Sequence, residues 1–248
     1  MLGSIKKNAA ARSALLCALT LLPYAPFSHA SLTLSTTRVV FDSDKRSVSL
    51  TVANPSDKVF AVQSWVNTSA DDTTTAVPFV TSPLLFSIGP GKEQHVQING
   101  LPNMLPDDRE TLFYFNAQEI PQAEADQSNV LNIAIRTRIK FFYRPAGLKQ
   151  NPSERLKDLH GSLQSINGQP SLVLNNPTPF HYTFQRLEIS EGGRSKAIDN
   201  PGMVAPLSHE VYPLGPFKAG AEAQVSFTTI NDHGGITPPI DLPLRQER

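Results

Sequence analysis

Arg136, Arg138, Lys140 and Arg144 lie within one stretch, Leu131 to Pro145 (LNIAIRTRIKFFYRP), that holds no acidic residue. A strand so basic and apolar can offer its apolar side and its charges to another protein. With Phe141, Phe142 and Tyr143 among them, they could also form a stripe for single-stranded nucleic acid, which requires the aromatics to share one open face. The plainest alternative is the solvated face of a β-sheet. Overall charge weighs against nucleic acid. The chain is formally neutral, and residues 1–30 hold Lys6, Lys7 and Arg12 with no acid, so the remainder is slightly acidic.

Patterns for catalysis or metal binding are weak. His95, His160, His181, His209 and His233 stand apart, none at H-x-x-H or H-E-x-x-H spacing. A scattered histidine is most often a surface residue. G-x-S-x-G is absent, and Gly89-Pro90-Gly91 reads as a turn rather than a phosphate loop. A triad assembled only by folding is left open, but nothing points to one. The expectation is a protein without catalytic residues, cofactor or metal.

The elements that position the basic stretch are strands. Leu131, Ile133 and Ile135 alternate with Asn132, Ala134 and Arg136, the two-residue period of a strand. Isoleucines, threonine and aromatics, with no proline before Pro145, agree with it. Further strands are predicted over Ser31–Phe41, Arg46–Asn54, Lys58–Asn67 with Trp65 in a core, Gln94–Ile98 and Leu112–Phe115. Beyond residue 150 they fall at Ser171–Leu174, Tyr182–Ile189, His209–Pro213 and Ala223–Thr229. Short strands separated by turns such as Asn54-Pro55-Ser56-Asp57 suggest a sandwich. Arg155–His160 reads as a short helical turn and Glu191–Pro206 as a loop.

Ala14–Leu22 is an apolar run too short to span a bilayer, behind a basic region and ahead of Ser28-His29-Ala30. Residues 1–30 are therefore expected to be a secretory signal peptide cleaved after Ala30. Cys17, the single cysteine, falls inside it. Ala146–Glu154 is hinge-like, which divides the rest into 31–147 and 148–248.

Ile133–Pro145 resembles the signature strand of the periplasmic pilus-assembly (fimbrial) chaperones, I-x-[aliphatic]-x-[ST]-x-[IV]-K-[aliphatic/aromatic]-[FY]-Y-R-P. Asp108–Pro121 (DRETLFYFNAQEIP) resembles the family's second signature. The TRVVF around Arg38, Val77–Gly91, NNPTPFHYTF and TINDHGG resemble further segments of that family. His233 stands where the family has an aromatic, and its ring is expected to pack. The short polar segment Gln122–Asn129 and the lack of cysteine beyond the signal peptide favour the short-loop branch of that family.

The resemblance implies an all-β chain of two immunoglobulin-like β-sandwich domains set at an angle, with a cleft between them. It implies an ATP-independent periplasmic chaperone that binds and caps pilus subunits and delivers them to an outer-membrane usher. Nucleic acid is not among the implied partners. Arg38 and Lys140 would anchor the subunit's C-terminal carboxylate. Glu110, Arg144 and Asp232 would form an interdomain ionic set. Strand 131–137 would be lent to the subunit, with Leu131, Ile133 and Ile135 filling its pockets, a form of strand addition. An unbound apolar edge invites aggregation, and self-capping as a homodimer would answer it. Ile135 and Lys140 differ in parity, so a regular strand puts them on opposite faces. A twist, a bulge or separate roles for the two halves could each explain this.

Overall fold

The structure is a computed structural model that describes residues 32–72, 74–120, 133–217, 220 and 222–246. The expected signal peptide, the segment Gln122–Asn129 and Leu131 lie outside the described residues.

In chain order the strands are β1 (Thr33–Leu34), β2 (Arg38–Asp42), β3 (Ser47–Ala53), β4 (Phe60–Asn67), β5 (Phe79–Ser82), β6 (Leu85–Ile88), β7 (Glu93–Gly100), β8 (Thr111–Ile120) and β9 (Arg136–Arg144). A 3-10 helix, Pro152–Asp158, comes next. After it come β10 (His160–Ile166), β11 (Gln169–Asn176), β12 (Tyr182–Glu191), β13 (Arg194–Ala197), β14 (Met203–Val204), β15 (Ser208–Pro213), β16 (Gln224–Thr229) and β17 (Ile240–Gln246).

In the first lobe, a sheet of order β1-β3-β7-β5 accompanies one of order β2-β9-β8-β4-β6. Alternation decides what lies between them. Val39 and Phe41, Leu50 and Val52, Val96 and Ile98, Phe113 and Phe115, and Phe141 share one buried cluster. Phe79 sits edge-on to Phe141 with centroids 4.7 Å apart, an arrangement the ring quadrupoles favour. Gly100 admits the Phe41 ring, since a Cβ there would lie 2.7 Å from Phe41 Cζ. The second lobe curls its strands in the order β13-β12-β16-β17-β10-β11-β15, with β14 on β12. Its separate core holds Leu172, Leu174, Phe180, Phe184, Leu187, Val225 and Phe227.

The same device fastens a turn in each lobe. In Asn54-Pro55-Ser56 and Asn176-Pro177-Thr178 the buried asparagine Oδ1 accepts from the N–H and the hydroxyl two residues on. Its Nδ2 donates to carbonyls of neighbouring loops. A buried amide with both ends satisfied fixes a turn, because losing one partner would leave a desolvated polar group.

Several details differ from the sequence reading. The stretch Ser31–Phe41 is two strands in two sheets: β1 pairs with β3, while β2 pairs in parallel with β9. Trp65 is not in the core. Val62, Ser64 and Val66 point inward, and Trp65 falls on the outer face with Gln63. Ser64 can occupy an inward position because its hydroxyl donates to the Pro83 carbonyl at 2.9 Å. The helical turn begins at Pro152 and ends at Asp158, and His160 already belongs to β10. The span Glu191–Pro206 contains β13 and β14. His233 is exposed rather than packed.

Candidate functional site

β9 is a regular strand, and its two faces have different surroundings. Its pairing with β8 runs without a register shift from Thr111 opposite Tyr143 to Gln118 opposite Arg136. Ile139, Phe141 and Tyr143 pack on the first-lobe core. Arg136, Arg138, Lys140, Phe142 and Arg144 take the outer face by alternation. Ile133 and Ile135 have the core-facing parity but lie beyond the core, 66% and 44% exposed. The parity difference from Lys140 therefore needs no bulge.

Parallel pairing of β2 with β9 puts Arg38 directly opposite Lys140. Arg38 is buried; its Nη1 donates to the Ile230 carbonyl at 2.8 Å and its guanidinium lies 5.9 Å from the Phe142 ring centroid. Its Nε–H is buried and makes no hydrogen bond among the described residues. Lys140 Nζ bonds the Thr183 hydroxyl at 3.0 Å. Among the described residues neither cation has a carboxylate at ion-pair distance. Burial lowers the pKa of Arg38 from its ordinary value, against the pull of Asp232 and Glu110. Burial, and then Arg38 itself, lowers that of Lys140.

The other basic side chains of this face are paired. Arg144 Nε donates to Glu110 Oε1 at 2.8 Å, and Nη1 and Nη2 bond the two Asp232 oxygens at 2.7 and 3.0 Å. Burial alone would lower the Arg144 guanidinium, but Asp232 and Glu110 outweigh it and raise it. Arg136 and Arg138 both reach Asp71. Glu110, Arg144 and Asp232, grouped from sequence, are thus brought together across the two lobes. Asp232 is presented by the turn Asn231–Gly235, in which Asn231 Oδ1 accepts from the His233 and Gly235 amides. Gly234 has φ +82, and a Cβ there would lie 2.6 Å from Thr37 Oγ1.

Three contributors were not singled out in the sequence. His181 belongs to the interlobe contact rather than the surface: its backbone N–H and its Nδ1 meet Glu110 Oε2 at 2.8 and 3.1 Å, and its ring lies 5.4 Å from that of Phe142. Thr183 holds Lys140. Asp71 holds Arg136 and Arg138. A lone histidine, threonine or loop aspartate carries no spacing signal; only the NPTPFHYTF segment hinted at the first two.

β2 covers only the second half of β9, from Lys140 to Arg144. Among the described residues, Arg136–Ile139 pair with β8 alone. Residues 133–135 are not assigned to the strand, although the Glu119 N–H donates to the Ile135 carbonyl at 3.0 Å. An open edge, two exposed isoleucines and two cations with neutral partners therefore follow one another along a single run of chain. Among the described residues, no three His, Cys, Asp or Glu side chains gather as metal ligands, and no helix is long and apolar enough to cross a membrane.

Two β-sandwich lobes joined by a partly buried ionic contact, with two opposed cations beside an open strand edge, define a two-domain protein-binding scaffold. Residues 31–149 match the family described as pili and flagellar-assembly chaperone, PapD N-terminal domain, and residues 154–240 match the pili assembly chaperone PapD, C-terminal domain. The chain is 36% identical over 230 residues to the probable fimbrial chaperone YadV of Escherichia coli K12, covering 89% of this chain and 93% of that one. It is 35% identical over 236 residues to the chaperone protein FimB/FhaD of Bordetella pertussis, covering 91% and 93%. The crystal structure of the YadV chaperone superposes with a TM-score of 0.73 at 35% identity, over 86% of this chain and all of that one. The SafB chaperone of Salmonella enterica, solved in complex with the SafA pilin, gives 0.73 at 26% identity over 86% and 96%. The chain belongs to the pilus-assembly chaperone family, and its two lobes are the immunoglobulin-like sandwiches of that family.

Proposed function

We propose that the chain binds pilus subunits in its cleft, lends them the open edge of β9 and passes them to an outer-membrane usher, without ATP and without catalysis. Residues 1–30 would export it to the periplasm, 31–147 would carry the donor strand, and 148–248 would complete the cleft. One observation carries the reading: among the described residues Arg38 and Lys140, opposed on neighbouring parallel strands, meet only neutral partners, while Arg136, Arg138 and Arg144 are paired with carboxylates. Two fixed and partly desolvated cations suit one chain-terminal carboxylate. Anchoring a subunit's end there sets the register of everything laid along β9 beyond it. Ile135 and Ile133, with Leu131 further on, would then fill successive pockets of the subunit groove. The free chaperone keeps the same apolar edge, which a second copy could cap.

Glu110, Arg144 and Asp232 would fix the angle between the lobes and hence the width of the cleft. The test is co-purification of a subunit from periplasm with Lys140→Ala. Truncating one partner of a desolvated charge contact costs about 2–5 kcal/mol of binding, so stable complexes should vanish while the fold persists. Normal co-purification would sink the anchor.

A further inference from the structure

The half of β9 that, among the described residues, pairs with β8 alone has another support. Arg136 grips Asp71 with two bonds, Nη1 to Oδ1 at 3.1 Å and Nη2 to Oδ2 at 2.6 Å. Arg138 Nε lies 3.7 Å from the same carboxylate. Its Nη2 donates to the Thr68 carbonyl at 2.7 Å, and its guanidinium sits 3.9 Å over the Tyr114 ring. Asn67 Nδ2 donates to Asp71 Oδ1 at 2.9 Å, and its own Oδ1 accepts from Asn116 Nδ2. Asp71 has φ +59, a left-handed conformation that aspartate and asparagine tolerate better than most residues. Hydrogen bonds from Arg136, and then Asn67, hold its carboxyl below the ordinary value, so it stays ionised near neutral pH.

We propose that Asp71 is a positioning residue for the open edge: one carboxylate ties down two alternate arginines of a strand half that β2 leaves uncovered. With the outer face held, the strand stays extended toward Ile135, and beyond the core contact of Ile139 the exposed Ile135 and Ile133 are presented to a partner. This rests on the reading of that edge as the donated one. By the antiparallel alternation that the Glu119–Ile135 bond sets, Thr137 and Ile139 turn their amides toward β8, and the main-chain groups of Arg136 and Arg138 face outward along the free edge.

The test is amide hydrogen exchange on the free chain. Asp71→Asn keeps the shape and the left-handed backbone but removes the charge. Exchange at Thr137 and Ile139 should become roughly fivefold faster, the scale of exposed ion pairs acting locally, while Phe115 and Phe141 are unchanged. Wild type should show the same acceleration in roughly 1 M salt, where the Debye length falls to about 3 Å, and the variant should be insensitive. Arg136→Gln should reproduce it. Unchanged exchange, or a uniform rise through the whole lobe, overturns the proposal. The donor reading fails separately, if Ile135→Asp still captures subunits.

Discussion

The two halves of β9 share one alternation but are held differently. From Lys140 to Arg144 the strand is paired on both edges, Phe141 is fully buried, and Arg144 is locked to carboxylates from two other segments. From Arg136 to Ile139 it has, among the described residues, one strand neighbour, and a surface carboxylate about one-third exposed holds its outer face. Side-chain type does not separate them, since both halves mix cations with large apolar groups. Neighbours do. The downstream half is built to stay, and the upstream half, among the described residues, leaves one edge unpaired and leads into the exposed Ile135 and Ile133.

The sharpest way to break this contrast is to truncate the core-facing parity once inside the downstream half and once just ahead of the upstream half. Phe141→Ala should cost about 3–5 kcal/mol, because a fully buried ring leaves a cavity that a packed sandwich fills poorly. Ile135→Ala should leave the unfolding midpoint almost unmoved, since nearly half of that side chain is already solvated. Urea denaturation of both variants decides it. Comparable losses would mean that the chain ahead of β9 is core after all.

Next in size is the interlobe contact. Glu110 is buried and accepts from Arg144, from the His181 amide and from the His181 ring. Glu110→Gln turns one acceptor into a donor facing donors. The expected loss is about 2–4 kcal/mol. Asp232 is about one-third exposed, so Asp232→Asn should cost roughly 1 kcal/mol or less. Thermal melting with small-angle scattering checks both. If the exposed partner proved the costlier one, burial would not be what sets the strength of this contact.

Much of this contrast was legible in the sequence, and the remainder was hidden for identifiable reasons. The alternation of β8 and β9 could be read directly, and family signatures tied Arg38 to Lys140 and grouped Glu110, Arg144 and Asp232. Trp65 was misplaced because β4 carries apolar groups on both faces and a serine inside, so periodicity alone could not orient it. β10 (HGSLQSI) is too polar to announce itself as a strand, and in β17 Pro243 obscures the alternation of Ile240, Leu242 and Leu244, which pack on the second core. Asp71 and His181 act through partners 65 and 71 residues away in sequence, a relation that only the folded sheets create. Ile135 and Lys140 looked contradictory because they were assigned to a single task.

The smallest expected effect is also the most specific to the anchor. Burial and the neighbouring Arg38 depress the Lys140 pKa below its ordinary 10.5. As pH rises from neutral, the folded chain releases this proton before the unfolded chain does. Between the depressed value and 10.5 the unfolded state binds more protons, so this residue's contribution to stability rises with pH. Lys140→Met removes the titrating group but keeps much of the stem's packing. The stability of wild type minus that of the variant should therefore climb through the alkaline window, while other alkaline transitions cancel in the difference. Subunit capture should move the other way, because a carboxylate is held by the protonated amine and not by the neutral one. Chemical denaturation and a capture assay across the same pH series measure the two trends together. A flat stability difference would show that Lys140 is not strained by its surroundings. Capture that does not fall with rising pH would show that its charge is not what the subunit binds.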